Sequence, residues 1–166
     1  QAIYASCVGV FASEEMHIYL RDPVLQDGCV PFKSEHAKDA KEKDLKEFFH
    51  VYPWGQLPDE LAQETRQFYG DLVGLGIELL GWLDSQLPED IAQKLSQPLQ
   101  DMMAQSAQSL LRILHYPPVA TDEASAAIRA AAHEDINLIT LLVAGSQPGL
   151  QAKDTHGHWR DVPCDP

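Results

Sequence analysis

Basic residues are scarce. Twelve Lys and Arg stand against 25 Asp and Glu, a formal net charge of −13. Phosphate backbones and anionic membrane surfaces are gripped by clustered Lys and Arg, so neither nucleic acid nor membrane is expected as a partner. Cysteine is also thin: Cys7, Cys29 and Cys164 are odd in number, with no C-x-x-C pair and no zinc-ligand spacing. A disulfide framework is excluded, and a reduced, cytoplasmic setting is the expectation. No apolar run approaches the roughly 18 residues of a membrane span, and no signal-peptide pattern opens the chain. The opening "QAIYASCVGVF" has no methionine and already reads as helix, so a preceding segment is expected. There is no internal repeat.

What is present is globular. The 166 residues are 45% hydrophobic and include three Trp, enough for one domain with a core. Residues 1–20 read as helix, with "SEEM" resembling a capping box. "RDPVLQDGCVPF" reads as a loop entering a short strand. "KSEHAKDAKEKDLKEFFHVYPWG" begins as a solvated charge run and ends in Phe48, Phe49, Tyr52 and Trp54, whose expected role is packing. Pro58 to Asp84 is the clearest helix: Pro58 suits its first turn, Asp59 and Glu60 complement the N-terminal dipole, and Phe68, Leu72, Leu75, Leu79 and Trp82 share one face. "LPEDI" repeats that start. Pro98 should break the second helix, with Met102 and Met103 on the inner side of its continuation as core filler.

After Gln108 the character turns to β. "SLLRILHYPPV" predicts a strand stopped by two prolines. "ATDEASAAIRAAA" is helical by propensity, and "LITLLVAG" predicts a buried strand. "GLQAKDTHGHWRDVP" predicts a hairpin turning at 154–157. Helices first and strands last indicate an α+β fold, a helical layer backing a sheet.

Within "AAAHEDINLITLL", His133 and Asp135 are two residues apart. On a strand both would project from one face, with Glu134 opposite. An imidazole nitrogen beside a carboxylate makes two members of the two-His-one-carboxylate triad that holds Fe(II) with positions left open. A surface ion pair is the other reading of so short a pattern. His156 and His158 read as a solvated turn, and His115 as a packed histidine pointing away from Tyr116. Arg112 and Arg129 are candidates for a local basic pocket or for ordinary strand-edge charges.

Several ordered motifs carry a wider resemblance. "VPFKSEHAKDAKEKDLKEFFHVYPWG", "LRILHYPP", "AAAHEDINLITLL" and "PGLQAKDTHGHWRDVP" are similar, in order and spacing, to motifs of the isopenicillin N synthase-like family of Fe(II)/2-oxoglutarate oxygenases. The resemblance covers essentially the whole chain. It implies a double-stranded β-helix (jelly roll) braced by preceding helices, with residues 1–107 as the helical region and 108–166 as the first part of the oxygenase domain. It also implies that His133 and Asp135 are metal ligands for Fe(II) and that Tyr116 reaches 2-oxoglutarate as cosubstrate. Leu114 departs from the Asn or Arg frequent at its position. Dioxygen and a small-molecule substrate are the implied partners, with succinate and carbon dioxide released as a C–H bond is oxidised.

The family's distal histidine and its R-x-S pair have no match here. The resemblance therefore implies a fragment lacking an N-terminal strand and the C-terminal half of the barrel. Residues 1–166 alone are expected to be inactive. The alternative is a non-catalytic, self-associating binding module, because incomplete sheets leave edges open to association.

Overall fold

Proline punctuates the helical half of the chain. In the computed structural model, which describes residues 2–35, 43–118 and 129–164, three helices begin directly after a proline. They are α2 (Asp59–Asp84) after Pro58, α3 (Glu89–Ala92) after Pro88 and α4 (Leu99–Ala104) after Pro98. Each proline has φ near the value its ring imposes, −55°, −56° and −55°, with extended ψ, so the chain enters each helix from a fixed direction. A proline offers no side-chain cap. For α4 the deficit is met from a distance: the Asp84 carboxylate, at the end of α2, accepts from the backbone N–H groups of Leu99 (2.9 Å) and Gln100 (3.0 Å). That contact folds α4 back onto α2.

The N-terminal helix is shorter than the sequence predicts. α1 spans Ala2–Phe11, and after Ser13 a 3-10 helix runs Glu14–Tyr19. Strand β1 (Gly28–Val30) pairs antiparallel with β2 (Glu47–Val51), which pairs antiparallel with β3 (Leu111–His115), in the order β1-β2-β3. The register aligns Gly28, His50 and Arg112 across the sheet, and Val30, Phe48 and Leu114 beside them.

Alternation along β2 sends its residues to two faces. Phe49 and Val51 join Cys7, Met16, Cys29, Leu57 and Leu61 in the core beneath α1 and α2. Phe48 and His50 take the other face, and both are buried. Three of the four clustered aromatics are packed as expected: Phe48, Phe49 and Tyr52 are buried, while Trp54 stacks on Tyr52 at 4.8 Å and is itself exposed. The Trp54 indole N–H donates to the Ala107 carbonyl at 2.8 Å.

Three expectations need correction. The buried line of α2 is Leu61, Thr65, Gly76 and Leu80, whereas Leu75 and Trp82 are exposed and Phe68, Leu72 and Leu79 half-buried. At Gly81 the helix lies close to α4, since a methyl group there would be 2.7 Å from Gln100 Oε1. Second, "LITLLVAG" forms no strand, and Leu138, Leu142 and Val143 are exposed. Asn137 supplies a reason: its side-chain amide donates to the Ile139 carbonyl (2.6 Å) and the Thr140 hydroxyl (2.8 Å), a local bend that competes with an extended ladder. Third, the end of the charge run is not solvated, because Asp44 and Lys46 pair at 2.8 Å away from water. The helical expectation for 120–132 lies outside the described residues as far as 128, and its end, 129–132, forms no helix.

The chain divides into two compact units, Ala2–Ile136 and Asn137–Pro166. In the second, β4 (Gln151–Lys153) and β5 (Trp159–Asp161) form the expected antiparallel hairpin. Gly157 takes φ +86° in its turn, and Asp154 gathers the backbone N–H groups of His156 and His158, both at 2.9 Å. No helix of the described residues is long and apolar enough to cross a membrane.

Candidate metal centre

His133 and Asp135 lie in irregular chain, not on a strand, so alternation is not what brings them together. They meet nonetheless. His133 Nε2 is 3.7 Å from Asp135 Oδ1, and both side chains are about half exposed. The geometry has a local cause. The His133 ring turns its Nδ1 to the Ala131 carbonyl at 2.8 Å. A carbonyl only accepts, so Nδ1 carries the hydrogen, and in the neutral ring the Nε2 lone pair faces the carboxylate.

This donor pair fits a metal ion with open positions. Nitrogen and oxygen donors bind such ions at about 2.1 Å, so two donors at a right angle stand about 3.0 Å apart. Closing 3.7 Å to that separation takes a modest side-chain rotation. Among the described residues no third His, Cys, Asp or Glu completes a cluster with them.

Tyr116 follows β3 and is partly exposed. Its phenol is pushed up in pKa by burial and then by the Asp44 carboxylate, with Arg112 and Arg129 acting the other way. It therefore stays protonated at neutral pH and is a hydrogen-bond donor. The Arg129 guanidinium donates to the carbonyls of Tyr116 (3.1 Å) and Pro117 (3.2 Å), tying the segment that leads to His133 to the end of β3. Arg129 is thus a strap. Arg112 donates through Nε to His50 Nε2 at 3.0 Å, and its guanidinium lies 4.6 Å from the Phe48 ring centroid.

The other histidines sort by contact. His115 is packed as expected, paired to Glu47 at 2.6 Å and stacked on Phe11 at 5.2 Å. His156 and His158 sit exposed on the hairpin, and His158 lies 3.7 Å from Asp154. His50, which no spacing in the sequence singles out, is buried, donates from Nδ1 to the Gln26 carbonyl at 2.7 Å and accepts from Arg112. Burial lowers its pKa, with Arg112 assisting. Sequence reasoning also missed Asp44, whose carboxylate accepts from the backbone N–H of Ala131 at 3.2 Å. The one signal available was its place in "DLKEFF", a stretch that enters a buried strand.

Residues 107–166 match the profile of the 2OG-Fe(II) oxygenase superfamily. An Arabidopsis thaliana protein described as "Probable flavonol synthase 5" is 32% identical over 110 residues, 66% of this chain and 31% of that protein. A "2-oxoglutarate-Fe(II) type oxidoreductase" of Aspergillus fumigatus is 36% identical over 113 residues, 66% of this chain and 32% of its own length. This chain therefore spans about a third of those curated relatives. Among solved structures, one described as an oxygenase from Shewanella oneidensis superposes with a TM-score of 0.84 at 44% identity, covering 99% of this chain and 58% of the other. One described as a 2OG-Fe(II) oxygenase family protein from Caulobacter crescentus gives 0.69 at 32% identity, covering 99% and 56%.

Proposed function

This chain belongs to the 2OG-Fe(II) oxygenase superfamily, and from that premise we propose that it carries two of the iron ligands of an oxygenase acting on a small-molecule C–H bond. His133 Nε2 and the Asp135 carboxylate are the ligands, and Tyr116 contacts the cosubstrate. The observation that carries this reading is the pairing of His133 Nε2 with Asp135 Oδ1, with Nδ1 already committed to Ala131. Residues 108–166 are the first part of a jelly-roll oxygenase domain and 1–107 the helical region that braces it.

When bound, Fe(II) supplies dioxygen activation coupled to conversion of 2-oxoglutarate to succinate and carbon dioxide. The residues of this chain bind and orient. His133 would offer its Nε2 lone pair, and Asp135 would add the negative charge that balances part of the cation. Tyr116, with its phenol protonated, would reach the keto acid as a hydrogen-bond donor. The flavonol synthase likeness supports a small organic substrate.

The test is anaerobic titration of the full-length protein with Fe(II), then with 2-oxoglutarate. A weak visible charge-transfer band is expected, together with loss of metal binding in His133→Ala and in Asp135→Ala. Metal binding of unchanged affinity in both variants would remove these residues from the site.

A further inference from the structure

We infer that the buried Asp44 is a positioning residue for His133, acting through the backbone of Ala131. The inference rests on the reading of His133 as a metal ligand and adds what holds that ligand in place.

Residue 131 is held at both of its polar groups. Its N–H donates to Asp44 Oδ1 at 3.2 Å, and its carbonyl accepts from His133 Nδ1 at 2.8 Å. Asp44 is itself fixed. Its second oxygen takes the Lys46 ammonium at 2.8 Å, its backbone N–H donates to the Glu35 carbonyl at 2.9 Å, and it is 3% exposed. The series thus runs from a buried ion pair, through one residue of backbone, to the ring nitrogen opposite the ligating one.

The physical logic is that of the carboxylate partners that orient metal-bound imidazoles, with a residue's backbone interposed. An imidazole on irregular chain has no strand ladder to fix its direction. If residue 131 turned, its carbonyl would leave Nδ1, and the hydrogen would be free to move to Nε2. A ring with its hydrogen on Nε2 presents no lone pair to the metal there. Asp44 prevents that turn, and the Lys46 ammonium at 2.8 Å keeps the carboxylate aimed, so the bond to the N–H is charge-assisted. Arg129 straps the same segment from its other side, on the Tyr116 and Pro117 carbonyls.

The experiment is 15N NMR of the histidine rings at pH 8 in the full chain without metal, paired with Co(II) titration of the same samples. In the wild type, His133 is expected as the Nδ1–H tautomer, and Co(II) binding should depend on His133. In Asp44→Ala the ring should populate the Nε2–H form, and Co(II) affinity should fall about tenfold or more, the range seen when such outer partners are removed. Circular dichroism establishes that the variant is folded. If it is not, Asp44→Asn decides. Its amide oxygen still accepts from Ala131, but the bond is no longer charge-assisted, so a shifted tautomer population and weaker Co(II) binding are expected. A folded variant with the wild-type tautomer and affinity overturns the positioning role. Co(II) binding that survives His133→Ala unchanged overturns instead the ligand assignment beneath it.

Discussion

Gly55 sits in the "VYPWG" turn, and replacing it by alanine should destabilise the protein by an amount that its neighbours set. Its φ is not positive, so a side chain is compatible with the backbone. Taken alone, Gly→Ala would then stabilise by about 0.4–1 kcal/mol, through the unfolded chain. The surroundings reverse the sign. A methyl carbon at 55 would lie 2.6 Å from Asp27 Cγ and 2.9 Å from Oδ2, with Oδ1 nearest of all. Asp27 is buried and cannot swing away freely, because its Oδ2 accepts from the Gln56 N–H at 2.8 Å. Displacing the carboxylate breaks a bond to a charged group, about 1.5–3 kcal/mol, and overpacks the site for about 1–3 kcal/mol more. The net expectation is a loss of about 2–5 kcal/mol. Urea unfolding gives the measurement, and a double-mutant cycle gives the cause. In an Asp27→Ala background the obstacle is gone, and Gly55→Ala should be neutral or slightly stabilising. A loss below 1 kcal/mol in the wild-type background, or an equal loss in both, would refute the steric argument.

Two further outcomes are expected. His50 is bound as a neutral ring, donor at Nδ1 and acceptor at Nε2, with its pKa lowered by burial. The unfolded chain takes up that proton near pH 6.5 and the folded chain only at lower pH, so its contribution to stability is complete above about 6.5 and is lost as pH falls below it. Urea midpoints at pH 7.5 and 5.5 should therefore separate more in the wild type than in His50→Gln, and equal separations would count against it. Thr65 is fully buried in α2 and its hydroxyl has no hydrogen-bond partner. Thr65→Val should raise stability by about 1 kcal/mol, since an unsatisfied buried hydroxyl is removed at similar shape. A clear loss in thermal melts would mean the hydroxyl is satisfied after all.

The parts of the fold legible in the sequence are those with short-range causes. Pro58 with Asp59 and Glu60 marks the start of α2, Pro117 and Pro118 end β3, and Asp154 with Gly157 writes the hairpin turn. Each signal acts within a few residues. The buried face of α2 was misread because apolar residues and contact residues need not coincide: Thr65 and Gly76 are buried where Leu75 and Trp82 are not. His50 and Asp44 were not legible because their partners, Arg112 and Ala131, are remote in sequence and take their meaning only once the sheet and the loop have formed.

The candidate centre shows the same division within a few residues. The spacing of His133 and Asp135 leads one to expect that they meet, and they do, but a shared strand face is not what brings them together. In the structure the pair is brought together by the Ala131 carbonyl and lies on chain that owes its path to Arg129 and Asp44. A spacing of two residues is compatible with either backbone, because both let the side chains meet. The difference lies in what can disturb the pair. On a strand, only loss of the ladder would separate the two donors. On irregular chain, removing one buried carboxylate far from them in sequence is expected to release the His133 ring from its orientation.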